Sequence, residues 1–86
     1  MKFADPRLLL FRDEICHLAQ TFRLNTDRLL VESYIPNNHA IVVESVGSHR
    51  IRLHINLQEN RIISIKELGA KEIDMKLFQK YMEFMR

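Results

Sequence analysis

The chain has 86 residues, of which 47% are hydrophobic and 28% are charged, and its formal net charge is +2 at pH 7. This length suits one small domain and excludes two, and the apolar fraction is too high for a disordered chain. We therefore expect residues 1–86 to form a single domain. The weak basic excess does not by itself indicate nucleic-acid binding.

The number of cysteines limits which disulfides and metal sites the chain can form. The single cysteine, Cys16, excludes an intramolecular disulfide and a metal site built from several cysteines. A lone cysteine fits a reducing compartment. No apolar run approaches the roughly 18 residues that span a membrane, and the first residues lack the long apolar region of a signal peptide. We therefore predict a cytoplasmic protein without a membrane partner.

The first predicted helix begins after Asp5, a good N-cap residue that is followed by proline. The helix is predicted for about residues 6–23 and ends before the polar run at 25–27. Its apolar residues recur at helical spacing and form one stripe: Leu8, Phe11, Ile15, Leu18, Ala19 and Phe22. Leu9 and Leu10 fall outside this stripe, so we expect them to add exposed apolar surface.

Four candidate strands follow, each β-branched or alternating in polarity and bounded by turn residues. They cover about residues 29–35, 40–46, 49–57 and 61–67. For residues 28–35 a short helix capped by Asp27 is the alternative.

The turn between the second and third strands predicts their register. Gly47-Ser48 suits a two-residue hairpin loop with glycine at its first central position. Val42 then lies opposite Leu53, and the buried side chains of both strands share one face.

The next loop, 58–60, fits a three-residue hairpin with Asn60 in the left-handed conformation. Ile55 then lies opposite Ile63, which buries more apolar surface than a register one residue away. The predicted inner face holds Ala40, Val42, Val46, Ile51, Leu53, Ile55, Leu57, Ile63 and Ile65. The predicted outer face holds Tyr34, Ile41, Val43, Arg50, Arg52, His54, Asn56, Ile62, Ser64 and Lys66.

The last predicted helix covers about residues 70–86, or begins later if Asp74 is its N-cap. Its apolar arc spans about 200°, roughly twice what a helix on one sheet needs. The arc consists of Ala70, Ile73, Met75, Leu77, Phe78, Tyr81, Met82, Phe84 and Met85. In one interpretation the sheet and the first helix cover all of it. In the other, Met75, Phe78, Met82 and Met85 stay partly exposed and form a protein interface.

These elements predict an α+β fold: an N-terminal helix, a four-stranded antiparallel meander and a C-terminal helix. Both helices are expected on one face of the sheet, because each amphipathic element must bury its apolar side against another layer.

A basic row is predicted on the outer face, where Arg50, Arg52, His54 and Lys66 lie close together with Tyr34 two strands away. Sheets that bind single-stranded nucleic acid combine cations with exposed aromatic rings, but here only one ring is present. The plainer interpretation is a solvated strand face on which arginine stems cover apolar neighbours. An acidic protein partner is the third interpretation.

The sequence contains no catalytic or cofactor motif: GxSxG, a phosphate-binding glycine loop and HExxH are all absent. His39 and His54 are predicted to lie near each other, but no acid or cysteine nearby completes a metal site. Cys16 and His17 point in different directions on a helix and do not form a nucleophile and base. We therefore predict no enzyme, no cofactor and no metal site.

These observations favour a small non-catalytic protein-interaction module: an adaptor, an inhibitor or a regulatory subunit. We expect it to self-associate, most simply as a homodimer, through the C-terminal helix or the outer sheet face. The alternative is a nucleic-acid-binding accessory protein that uses the basic row. An enzyme with a site near His39 and His54 is a third class.

Overall fold

The protein folds as α+β, as predicted, in a computed structural model that describes residues 1–69 and 75–86. One sheet with the order β1-β2-β3-β4-β5 carries helices on one face. The strands are β1 (Lys2–Phe3), β2 (Leu29–Ile35), β3 (His39–Val46), β4 (His49–Asn56) and β5 (Arg61–Glu67). The helices are a 3₁₀ helix (Pro6–Phe11), α1 (Arg12–Thr21), a 3₁₀ turn (Thr26–Arg28), α2 (Met75–Met82) and a final 3₁₀ turn (Glu83–Met85).

The sheet has five strands where four were predicted, and β1 runs parallel to β2 rather than antiparallel. Phe3 pairs with Val31, and the Ala4 N–H donates to the Val31 carbonyl at 2.9 Å. A two-residue strand carries no periodic signal, so the sequence pattern could not predict it.

The N-terminal helix begins where it was predicted, because the Asp5 carboxylate accepts the Arg7 N–H at 2.9 Å and proline follows the cap. The helical segment ends at Thr21, two residues before the predicted end. Arg23 takes a left-handed conformation with φ 55°, and the Leu24 N–H donates to the Ala19 carbonyl at 2.7 Å. This is the Schellman arrangement that closes helix C-termini.

Residues 29–35 form a strand, which excludes the helical alternative. The Asn25 side chain caps the short 3₁₀ turn before it by accepting the Asp27 N–H at 3.0 Å. Strand β2 then pairs with β3 as an antiparallel neighbour.

The predicted register between β3 and β4 is confirmed, with Val42 opposite Leu53. Gly47 has a positive φ of 61°, as the first central position of the two-residue loop requires. Asn60 is left-handed in the next loop, also as predicted, with φ 54°.

The register between β4 and β5 is only partly as predicted. Leu53 lies opposite Ile65, but Ile55 lies opposite Ile62 and not Ile63. The loop holds four residues instead of three, and a β-bulge restores the pairing further along the strand. Ile62 is therefore fully buried while Ile63 is exposed, the reverse of the predicted faces.

A second bulge, in β2 between Val31 and Ser33, moves Tyr34 to the inner face. Tyr34 lies opposite the buried Ala40, and its ring packs on Phe11 with centroids 5.3 Å apart. The prediction that Tyr34 belongs to the outer face is therefore wrong.

The core lies between the inner sheet face and the two helices. Helix α1 contributes Ile15, Leu18 and Ala19, and α2 contributes Phe78 and Tyr81.

Residues 70–74, which include the predicted start of the last helix and the alternative cap, lie outside the described residues.

Candidate functional site

The basic row lies on the outer sheet face, as its register requires, since Arg52 is opposite Lys66 and lies between Arg50 and His54 along the same side of β4. Arg52 is not free, because its guanidinium binds both carboxylate oxygens of Glu32 at 2.7 and 3.1 Å. That hydrogen bonding, with the charge of Glu32, raises the pKa of Arg52.

The two histidines of the outer face also meet. The rings of His39 and His54 contact edge to face with centroids 5.2 Å apart, and His39 Nδ1 lies 2.9 Å from the Asn38 side-chain oxygen. Within residues 1–69 and 75–86, no group of three or more histidine, cysteine, aspartate or glutamate side chains can hold a metal ion. The pair contacts without forming a ligand set in that part of the chain.

The predicted interface residues of the C-terminal helix divide into buried and exposed side chains. Phe78 is only 8% exposed and belongs to the core, and Met85 packs partly against it. Met75 and Met82 are 57% and 39% exposed. Since they are seven residues apart, they lie on one side of α2. We call this pair the methionine edge.

The methionine edge lies away from α1. Arg23, just after α1, pairs with Glu83 at 3.2 Å, and Phe22 contacts Phe84 with ring centroids 5.3 Å apart. Glu83 and Phe84 mark the side of the helical segment that faces the end of α1, and helical spacing places Met82 on the other side.

Glu44 is a buried carboxylate that was not among the predicted site residues. Its side chain is 1% exposed on the inner face of β3. One carboxylate oxygen accepts from Lys80 Nζ at 2.6 Å and from the Tyr81 hydroxyl, and the other accepts from the Asn25 N–H at 2.6 Å. Three segments of the molecule therefore meet at one side chain: the turn after α1, strand β3, and helix α2, which contributes two successive residues.

The buried cluster around Glu44 changes the pKa of the Tyr81 hydroxyl. Tyr81 is fully buried. Burial, then the hydrogen bond to Glu44 and its negative charge, raise the pKa of Tyr81. The Lys80 ammonium also lies 5.4 Å from the centre of the Tyr81 ring. Along β3, Glu44 falls on the same alternation as Val42 and Val46, which were predicted to face inward, and an inward charge needs a partner. That was the signal for this cluster.

Glu67 is a second buried carboxylate on the same cross-strand row, because Ile51 pairs with Glu44 on one side and Glu67 on the other. Its side chain is 3% exposed, and one oxygen contacts His49 Nδ1. The other oxygen has no hydrogen-bond partner within the described residues.

An open groove of about 490 Å³ lies between α1 and the ends of two hairpins. Helix α1 lines it with Asp13, Glu14 and His17 over the apolar Leu18. Tyr34 forms part of the opposite wall. Partial burial and, after it, the negative charge of Glu14 raise the pKa of Tyr34. We call this feature the acidic groove.

The N-terminal 3₁₀ helix carries a separate apolar patch. Leu9 is 54% exposed and Leu10 is 81% exposed, as expected for two residues outside the buried stripe of that segment.

Comparisons with protein-family models, with curated proteins and with solved structures gave no match in any of the three. Among the described residues, no helix is long and apolar enough to cross a membrane.

Proposed function

We propose that this protein is a non-catalytic protein-interaction module, such as an adaptor, an inhibitor or a regulatory subunit, and that it self-associates through the methionine edge of α2. The observation that carries the proposal is the exposure of Met75 and Met82, at 57% and 39%, on a helix whose other side is buried. Exposed apolar side chains grouped on one face are typical of association surfaces.

The helix that presents these methionines is firmly held. Glu44 binds Lys80 and Tyr81, and Tyr81 and Phe78 lie in the core. A fixed helix loses little conformational freedom when a partner binds, which favours affinity. Methionine side chains are flexible and polarizable, so they adapt to the surface that they meet.

The structure changes the set of interface residues that the sequence suggested. Phe78 is removed from it, because its ring is already packed inside the chain. Met85 lies at the border of the proposed interface, since part of its side chain packs on the core. Met75 and Met82 remain as the centre of the proposed interface.

A nucleic-acid-binding accessory protein remains the alternative. Arg50 and Lys66 support it, because both are exposed on one face of the sheet, and His54 lies on the same face further along β4. Arg52 is engaged by Glu32, and Tyr34 lies on the opposite face. Over residues 1–69 and 75–86, the outer face therefore offers cations without the stacking ring that such sheets use.

The proposal includes a cytoplasmic location. It is supported by the single cysteine of the sequence, Cys16, which is a half-buried free thiol and suits a reducing compartment.

The proposal is tested by light scattering during size-exclusion chromatography, with absorbance read at nucleic-acid and protein wavelengths. We expect a mass of twice the 10.3 kDa chain and a return to the single-chain mass for Met82→Asp. Leu10→Asp is the matched control, since Leu10 is an exposed leucine on a different surface. If Met82→Asp keeps the parent mass and Leu10→Asp loses it, the interface lies at the other patch. Co-purifying nucleic acid that salt removes would favour the alternative.

A further inference from the structure

The acidic groove has the form of a binding site for an extended peptide. Helix α1 has ten residues and spans about 15 Å at about 1.5 Å per residue, which is the length of about four extended residues. Leu57 gives the groove a partly exposed apolar wall above the buried Leu18 and Phe22, and Tyr34 adds an aromatic ring. Pockets that combine apolar walls with a few polar groups are the usual form of ligand sites.

The charge of the acidic groove is not balanced within the described chain. Five carboxylates in residues 1–69 and 75–86 form ion pairs with lysine or arginine: Asp5, Glu32, Glu44, Glu59 and Glu83. Asp13 and Glu14 form none there, and no lysine or arginine is among the described residues that line the groove. An occupant with positive charge would supply the missing partner.

We propose that the acidic groove binds a segment of another protein in which an arginine is flanked by apolar residues. The guanidinium would lie between the Glu14 carboxylate and the Tyr34 ring, and an apolar neighbour would contact Leu57, which lines the groove and is only partly buried. Arginine fits better than lysine, because its planar group can pair with a carboxylate and stack on an aromatic face at once. Asp13 and His17 border the same position along α1.

This inference rests on the proposed function in one respect, since both make the protein an interaction module. The surfaces are different: the acidic groove lies between α1 and the hairpin ends, whereas the methionine edge lies on α2. Failure of self-association would therefore leave the groove testable in the monomer.

The test is a titration of the ¹⁵N-labelled protein with a short capped peptide that has a central arginine between two leucines. We expect saturable shifts of the amide signals of Thr21, Asn37 and Asn60, which line the groove. A peptide with citrulline, the uncharged isostere of arginine, and the variant Glu14→Gln should each weaken binding at least about fivefold, the effect of roughly 1 kcal/mol.

Asp27→Asn is the matched control, because Asp27 is an exposed carboxylate outside the groove that also lacks an ion pair in the described chain. It should bind the arginine peptide as the parent does. The proposal is overturned if the groove signals do not move, if the citrulline peptide binds equally, or if Glu14→Gln leaves the affinity unchanged. Repeating the titration with Met82→Asp separates it from the proposed function, since an unchanged affinity there shows that the groove does not need self-association.

Discussion

Two ion pairs on opposite faces of the sheet have nearly the same length and very different surroundings. Glu44 and Lys80 are 2.6 Å apart on the inner face, and Glu32 and Arg52 are 2.7 Å apart on the outer face. The carboxylate side chain is 1% exposed in the inner pair and 29% exposed in the outer pair. The distance alone therefore does not rank these pairs, and burial does.

The two pairs differ in whether the partners of the carboxylate would stay buried without a hydrogen-bond acceptor if that carboxylate were removed. Without Glu44, the Tyr81 hydroxyl and the Asn25 N–H would lose their acceptor beside the core. Without Glu32, water would solvate the Arg52 guanidinium, because this side chain is already 40% exposed. The inner pair holds α2 in place, whereas the outer pair lies beside Val43, which Arg52 faces across the strands, and lowers the net charge of the outer face.

The largest expected effect is that of Glu44→Ala, which removes one partner of a buried pair. We expect it to lower the free energy of unfolding by about 3 kcal/mol, near the low end for buried pairs because Lys80 is 41% exposed and can reach water. Urea denaturation followed by circular dichroism measures this change. If Glu44→Ala lowers the free energy of unfolding no more than the removal of Glu32 does, the claim that burial ranks the two ion pairs is contradicted.

A pH series tests the phenol of the same cluster. The pKa of Tyr81 is raised in the folded protein, whereas an unfolded tyrosine titrates near pH 10. The stabilisation is therefore complete below about pH 10 and is lost as the pH rises above it, by about 1.4 kcal/mol per pH unit. We expect the difference in unfolding free energy between the parent and Tyr81→Phe to shrink between about pH 9 and 11.

Tyr34 serves as the internal control of that series. Its pKa is also raised, by partial burial and by Glu14, and it is present in both proteins, so its contribution cancels in the difference. A difference that stays constant across the alkaline range would show that the Tyr81 phenol ionises equally in the folded and unfolded states.

The smallest expected effect is that of Glu32→Gln on the outer face. Pairs between exposed charges contribute little, because water already solvates both groups. We expect the urea midpoint to stay within experimental error of the parent, at low salt and at high salt. A loss comparable to that of Glu44→Ala would mean that the outer pair also holds the fold together.

Local signals in the sequence were enough for most of the fold. Asp5 before proline marked the first helix, and Gly47 and Asn60 marked the two hairpin turns where the structure has positive φ angles. These residues act within a few positions of themselves, so their meaning does not depend on the rest of the chain.

What the sequence did not reveal depends on distant contacts. The bulges that reverse Ile62 and Ile63 and that turn Tyr34 inward follow from how the strands fit the core. Glu44 pairs with Lys80, and the two residues are separated by 36 positions in the sequence. The acidic groove is assembled from α1 and two loops, and no periodic pattern brings such segments together.

The methionine edge is tested most directly by the methyl signals of ¹³C-methionine-labelled protein, recorded as a function of concentration. The sequence has four methionines, Met1, Met75, Met82 and Met85, so one sample holds both the proposed interface and its control. We predict that the Met75 and Met82 signals shift or broaden as the protein is concentrated, while that of Met1 stays constant. Methyl signals that do not change with concentration, or a change at Met1 alone, would contradict self-association through α2.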